Sequence, residues 1–244
     1  MRNLRLDICY DGTRYKGWQR LHTGDQTIQG KLEQILSRLL NENVEVSASG
    51  RTDAGTHAVG QVVNFHCHSA MPCEEILQGL RQYLPEDIGV FSCKNVSPRF
   101  HARLNAKTKT YRYRVWNGEA PCVFERKFVY IDRRPFDLAV MDQAAKLFVG
   151  THDFAAFCAN KNMKKSTVRS IESFGVERYG NEIHFTVTGN GFLQHMVRIM
   201  VGTLLEVGLG LRKAEDIPGL FEAKRADTGG AVPACGLCLM EVSY

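Results

Sequence analysis

Two periodicities alternate along this chain, and their order leaves few folds open. Leu4, Leu6, Ile8 and Tyr10 are apolar at every second position, the mark of a strand with one buried face, and Asp11-Gly12-Thr13 breaks the pattern. From Thr27 to Leu40 the apolar residues Ile28, Leu32, Ile35, Leu36, Leu39 and Leu40 recur at helical spacing, so an amphipathic helix capped near Asp25 or Thr27 is expected. Val44 to Ser49 and Val59 to Cys67 read as strands, Cys73 to Tyr83 as a helix closed by Pro85, and Ile88, Val90 and Ser92 as a strand. The order is β-α-β-β-α-β. It recurs loosely, with a strand from Lys109 to Trp116, a helix around Asp137 to Val149, strands at Ser170 to Tyr179 and Glu182 to Gly189, a long helix from Leu193 to Val207 and a last strand from Gly236 to Ser243. An α+β chain of two βαββαβ-like halves is therefore expected, each half an antiparallel sheet covered by helices on one face. The boundary falls near Arg99 to Arg103, dividing the chain into 1–103 and 104–244.

A length of 244 residues suits two modest domains, since single domains usually run to about 100 to 200 residues. Hydrophobic residues make up 44% and charged residues 23%, which supports an ordered core. No apolar stretch follows Met1-Arg2-Asn3-Leu4-Arg5, and the most apolar segment, Met196 to Leu211, is interrupted by Arg198 and Glu206, so neither a secretory signal nor a membrane span is expected. The eight cysteines are scattered, several of them inside strand-like or helix-like runs, which suits reduced thiols in a cytoplasm.

The stretch Gly50-Arg51-Thr52-Asp53-Ala54-Gly55-Thr56-His57-Ala58 is where chemistry is expected. It lies between two strands, on a loop, where catalytic groups concentrate. Gly50 and Gly55 lack a Cβ, so a ligand can approach the main chain on either side of Asp53. An aspartate with a free pKa of about 3.9 is ionised at neutral pH, and an arginine nearby would hold it ionised and aimed, as a carboxylate nucleophile requires. The plain alternative is a tight turn in which Asp53 caps a backbone N–H and Arg51 is solvated.

A net charge of +5 is only moderately basic, but its distribution is uneven. Between Arg99 and Arg114 stand Arg99, Arg103, Lys107, Lys109, Arg112 and Arg114 with His101 and no acid, interleaved with Tyr111 and Tyr113 and followed by Trp116. A second acid-free stretch, Lys161-Asn162-Met163-Lys164-Lys165 through Arg169, reads as a loop. Cationic side chains beside aromatic faces form a nucleic-acid pattern. A strand whose charged side chains face water fits the first stretch equally well.

Other candidates are weaker. Cys235-Gly236-Leu237-Cys238 has the spacing of half a zinc or redox site, but no second C-x-x-C exists, and a strand with two small side chains explains it. His66 and His68 share a strand face without an apparent third ligand or nearby carboxylate. Gly189-Asn190-Gly191 and Gly208-Leu209-Gly210 lack the spacing of a dinucleotide loop and read as turn and helix-end glycines. There is no P-loop, nucleophile elbow or kinase signature, so no nucleotide cofactor is expected.

Taken together, the motifs resemble the TruA-type tRNA pseudouridine synthase family nearly end to end. The resemblance is carried by Tyr10-Asp11-Gly12-Thr13-Arg14-Tyr15-Lys16-Gly17-Trp18-Gln19, the aspartate loop, Gly60-Gln61-Val62-Val63-Asn64-Phe65 and Phe100-His101-Ala102-Arg103. It continues through Tyr111-Arg112-Tyr113, His152-Asp153-Phe154, Phe192-Leu193-Gln194-His195-Met196-Val197-Arg198 and Gly236-Leu237. It implies two RRM-like (ferredoxin-like) halves forming one extended antiparallel sheet with helices on one face, an active cleft between the halves, and a homodimer. It also implies an enzyme that isomerises uridine to pseudouridine in the tRNA anticodon stem-loop. Asp53 then matches the catalytic aspartate, Arg51 the basic residue that helps displace the target nucleotide, and Arg198 the partner of the aspartate. Tyr111 matches the tyrosine that packs on the target uracil, and Leu237 an apolar wall of the pocket. Arg103, Lys164 and Lys165 are the candidates for holding RNA. Without the resemblance, Arg198 reads as a snorkelling helix residue and Tyr111 as a half-buried strand tyrosine.

The chemistry agrees with those roles. Pseudouridine forms when the bond from ribose C1′ to N1 breaks, the uracil turns and a bond to C5 replaces it, with no redox change, so neither cofactor nor metal is expected. One ionised carboxylate suffices, attacking C1′ or C6 or assisting glycal formation. A base paired in a stem must first be everted, at a cost of a few kcal/mol offset by stacking and phosphate contacts. The rival readings are an inactive RNA-binding protein of the same fold, an isomerase of ribosomal RNA, and a glycosidic hydrolase, which usually employs two carboxylates.

Overall fold

The computed structural model describes residues 1–21, 23, 26–160 and 162–244. Of the residues singled out in the sequence, Asp25 and Lys161 lie outside these. The chain forms two compact units, Met1–Lys107 with Leu239–Tyr244, and Thr108–Cys238.

The first unit is built on β1 (Arg2–Tyr10), which pairs antiparallel with β3 (His57–Cys67) on one side and β4 (Ile88–Asn95) on the other, while β2 (Val46–Ala48) pairs with β3. The register sets Leu4 opposite Phe65 and Asn95, and Leu6 opposite Val63 and Cys93. That register follows from the alternation: a slip of one residue would turn Leu4, Leu6 and Ile8, all fully buried, to the opposite face. Helices α1 (Ile28–Leu40) and α2 (Cys73–Tyr83) bury Ile28, Leu32, Leu36 and Leu40, and Ile76, Leu77 and Leu80. Each such side chain contributes about 1.5–3 kcal/mol by leaving water. Thr27 caps α1, its hydroxyl accepting from Gly30 N at 3.2 Å, and Asn41 ends the helix in the left-handed region with φ 52°. The helices meet where Gly79 leaves room for Leu39, whose Cδ1 lies 2.8 Å from where a Cβ would stand.

In the second unit the antiparallel order is β5 (Lys109–Trp116), β9 (Glu182–Gly189), β8 (Val168–Tyr179) and β7 (Gly150–Asp153), with β6 (Tyr130–Ile131) parallel to β5. Gly180, at φ +55°, makes the tight turn between β8 and β9. Asp137 caps α3 (Leu138–Lys146), accepting from Val140 N at 3.1 Å. Helix α4 (Met196–Gly208) is buried on nearly every side, which is why its sequence is apolar beyond one stripe. Phe148, Phe154, Phe157, Phe174 and Phe221 form an aromatic cluster in this unit. The last strand, β10 (Leu237–Val242), follows a 3-10 turn at Ala234–Gly236.

The elements differ from the sequence reading mainly at their ends. β3 begins at His57, because Ala58 pairs with Tyr10, so the last two residues of the aspartate motif belong to the strand. α4 begins at Met196, after His195 in the left-handed region at φ 61°, and Gly236 belongs to the turn before β10. β6 and β7 are too short to show a period. No helix among the described residues is long and apolar enough to cross a membrane.

Candidate active site

In the first unit the aspartate loop is held from three sides. Trp18 N donates to Thr52 O at 3.0 Å, and Thr56 N donates to Asp53 O at 3.1 Å, closing the turn in which Gly55 takes φ +76°. Beneath, Tyr10 Oη and Thr52 Oγ1 share a hydrogen bond of 2.8 Å. Gln61, wholly buried, donates from Nε2 to Gly50 O at 3.0 Å and to Tyr10 Oη at 3.4 Å, while its Oε1 accepts from Ser49 Oγ at 2.6 Å. At the far end, His57 Nδ1 accepts from Gly12 N at 3.1 Å and lies 3.2 Å from Asp11 Oδ1.

Gly17 gives the loop its closest support. It adopts φ +94°, and a Cβ there would stand 2.9 Å from Thr52 O and 3.1 Å from Ala54 N. Only a residue without a side chain lets these two backbones meet. Asp53 is thus half-buried on a loop whose position is fixed by groups distant in sequence, and Arg51 is exposed two residues before it. Arg103, also in this unit, is exposed in the segment after β4.

The second unit carries Tyr111, Arg198 and Leu237. Tyr111 and Tyr113 alternate with Arg112 along β5, so both tyrosines face the same side. Tyr111 is buried and meets the Phe192 ring edge-on with centroids 5.1 Å apart. Arg198, half-buried on α4, donates from Nε to Val232 O at 2.7 Å, so its stem does not simply snorkel to water. Its charge also reaches Tyr113 and Cys235. Tyr113 donates to Pro233 O at 2.7 Å, and burial pushes its phenol well above the ordinary range. Burial raises the Cys235 thiol too, with Arg198 opposing the rise. Leu237 is buried directly after this turn, and Lys164 and Lys165 are exposed in the loop before β8.

Several sequence readings change here. Arg114 is not a free cation, because Glu182 receives its Nε at 2.7 Å and Glu125 its Nη2 at 3.0 Å. The acids missing from the basic stretch arrive from other segments. Tyr113 is wholly buried and offers no face to a base. His68 does have a carboxylate nearby, Glu42 Oε2 at 3.2 Å from its Nδ1. Among the described residues no group of three or more His, Cys, Asp or Glu could hold a metal ion. Gln61, Thr52, Gly17, Tyr113 and Phe192 were legible only as parts of motifs; the Tyr-x-Tyr alternation was the one local signal that two of the rings share a face.

A family model described as tRNA pseudouridine synthase matches residues 8–105 and 144–244. The chain is 44% identical over 244 residues to tRNA pseudouridine synthase A of Bacillus sp. (strain KSM-64), covering 100% of both proteins. It is 45% identical over 245 residues to tRNA pseudouridine synthase A 1 of Clostridium tetani, and 42% identical over 245 residues to tRNA pseudouridine synthase A of Acetivibrio thermocellus, again covering 100% of each.

Proposed function

The chain belongs to the tRNA pseudouridine synthase family, and we propose that Asp53 is the carboxylate that carries its reaction. It is an isomerase that converts uridine to pseudouridine in tRNA. The observation that supports Asp53 most is its setting: a half-buried aspartate on a loop pinned through Gly17, Thr52, Gly50 and Gln61. A reacting carboxylate has to be held in place, since misplacing it by about 1 Å costs on the order of 10²-fold in rate. The carboxylate attacks ribose C1′ or uracil C6 or assists glycal formation; in each case the C1′–N1 bond breaks, the uracil turns, and C5 gives up a proton as the new bond forms while N1 takes one up.

In this proposal Arg51, exposed beside the aspartate, pushes toward the nucleotide to be everted. Tyr111, kept upright by Phe192, packs on the uracil, Leu237 supplies an apolar wall, and Arg198 is the counter-charge of the carboxylate. Arg103, Lys164 and Lys165 contact phosphates. The anticodon stem-loop as target, a homodimer and a cytoplasmic setting belong to the same proposal, as does a reaction that needs neither metal nor cofactor.

Purified protein without added metal or nucleotide is expected to release tritium from 5-tritiated uridine in unmodified tRNA. Asp53→Asn is expected to bind the RNA and to lose activity by on the order of 10³-fold or more. Undiminished turnover by Asp53→Asn would remove that side chain from the mechanism. Free uracil as the product would identify a hydrolase, and mapping modified sites in cellular RNA with and without the protein decides between tRNA and ribosomal RNA.

A further inference from the structure

Away from the aspartate loop, the first unit gathers three cysteines on one face of its sheet. Directly opposed residues of paired strands share a face. Arg2 stands opposite Cys67, Leu4 opposite Asn95, and Leu6 opposite Cys93, so Cys67, Asn95 and Cys93 lie on the side of Arg2, Leu4 and Leu6. Cys73, the first residue of α2, comes down onto this face. Its Sγ accepts from Arg2 Nη2 at 3.4 Å and from Asn95 Nδ2 at 3.6 Å, and Asn95 shares its face of β4 with Cys93, two residues before it.

The arrangement is held in place. Arg2 is fixed by bonds from Nη1 to Met71 O at 2.7 Å and Ser69 O at 3.2 Å and from Nε to Asn95 Oδ1 at 3.2 Å. These anchor both the approach to α2 and the end of β4 around the sulfur of Cys73. Cys73 and Cys93 are both partly exposed, whereas Cys67 is buried.

We propose that Cys73 and Cys93 are a redox-responsive pair that a hydroperoxide converts to a disulfide tying the start of α2 to β4. Cys73 is the attacking sulfur. The Arg2 guanidinium donates to this sulfur, the setting in which reactive cysteines are found. Cys93 is the resolving thiol. Burial and the neighbouring Cys73 push it up to about 12, so it keeps its proton until it reacts. Cys73 attacks one oxygen of hydrogen peroxide, the O–O bond breaks, and a sulfenic acid and one water result. The Cys93 sulfur then displaces the sulfenic oxygen as a second water. Two thiols are oxidised by two electrons in all, and one peroxide is reduced to two waters.

The test treats the full chain with equimolar hydrogen peroxide, then maps tryptic peptides by tandem mass spectrometry without reduction. Peptides 52–81 and 82–94 are expected to be joined through Cys73 and Cys93, and reductant should separate them. Cys67→Ser should leave the link intact. Cys73→Ser should abolish it, and Cys93→Ser should stop at a sulfenic acid on Cys73 that dimedone traps. Circular dichroism confirms that each variant is folded. No link in folded protein, a Cys67–Cys73 bridge in place of the predicted one, or dimedone labelling of Cys93 in Cys73→Ser equal to that of Cys73 in Cys93→Ser would overturn the proposal.

Discussion

Replacing Gln61 with leucine tests whether a buried amide fixes the catalytic loop. Gln61 is wholly buried, and its four hydrogen bonds are unequal: Ser49 Oγ at 2.6 Å and Gly50 O at 3.0 Å are strong, whereas Val62 N at 3.2 Å and Tyr10 Oη at 3.4 Å are long. The two strong bonds contribute about 1 kcal/mol each. Gly50 is half-buried, so water can take the place of the amide at its carbonyl, but Ser49 is wholly buried and its hydroxyl would lose its acceptor, a loss of about 1–3 kcal/mol. Leucine regains little, because its new neighbours are a hydroxyl, a carbonyl and a phenol oxygen. Gln61→Leu should therefore lower stability by about 2–3 kcal/mol in urea denaturation, and tritium release should fall by about 10- to 10²-fold as the Gly50 end of the loop is released. Adding Ser49→Ala removes the stranded hydroxyl and should recover about 1–2 kcal/mol, a coupling that a double-mutant cycle reads directly. The activity should stay low, since Gly50 remains unheld. A stability change under about 0.5 kcal/mol in Gln61→Leu, or no recovery in the double variant, would refute the reasoning.

Gly17→Ala combines a left-handed φ of +94° with a Cβ 2.9 Å from Thr52 O, so it should cost about 2–4 kcal/mol and reduce turnover, measured by urea denaturation and tritium release; unchanged values would mean the two backbones separate freely. Alanine at both Lys164 and Lys165 should weaken tRNA binding and reduce the slope of log affinity against log salt by about 1 per lysine that touches a phosphate, read from a salt titration. Burial raises the Glu182 carboxyl, but bonds from Arg114 and His184 outweigh it and hold the pKa below 4.5. A lowered folded pKa gives stability that is present above the unfolded pKa and lost as pH falls through the folded one, so wild type should lose stability below about pH 4.5 more steeply than Glu182→Gln in acid titration monitored by circular dichroism.

Much of this protein was legible from residue order alone. The strand at Leu4 to Tyr10, the helix ending at Leu40 and the strand from Lys109 to Trp116 appear where their periods put them, because apolar spacing records which side of an element meets water. The aspartate loop was legible for a different reason: its glycines, arginine and carboxylate are contiguous. Periodicity could not give partners. Arg114 looked like one cation in an acid-free run until β9 brought Glu182 beside it, 68 residues away. Gly17 was only one residue of an opening motif until it met Thr52 and Ala54, and Cys73 and Cys93 were scattered thiols until α2 brought Cys73 down beside Asn95, on the face of β4 that carries Cys93. Local sequence encodes the shape and the solvent face of each element. Which charges cancel, which loop is held and which cysteines share a face depend on pairing between segments far apart in the chain, and only the packed tertiary structure determines it.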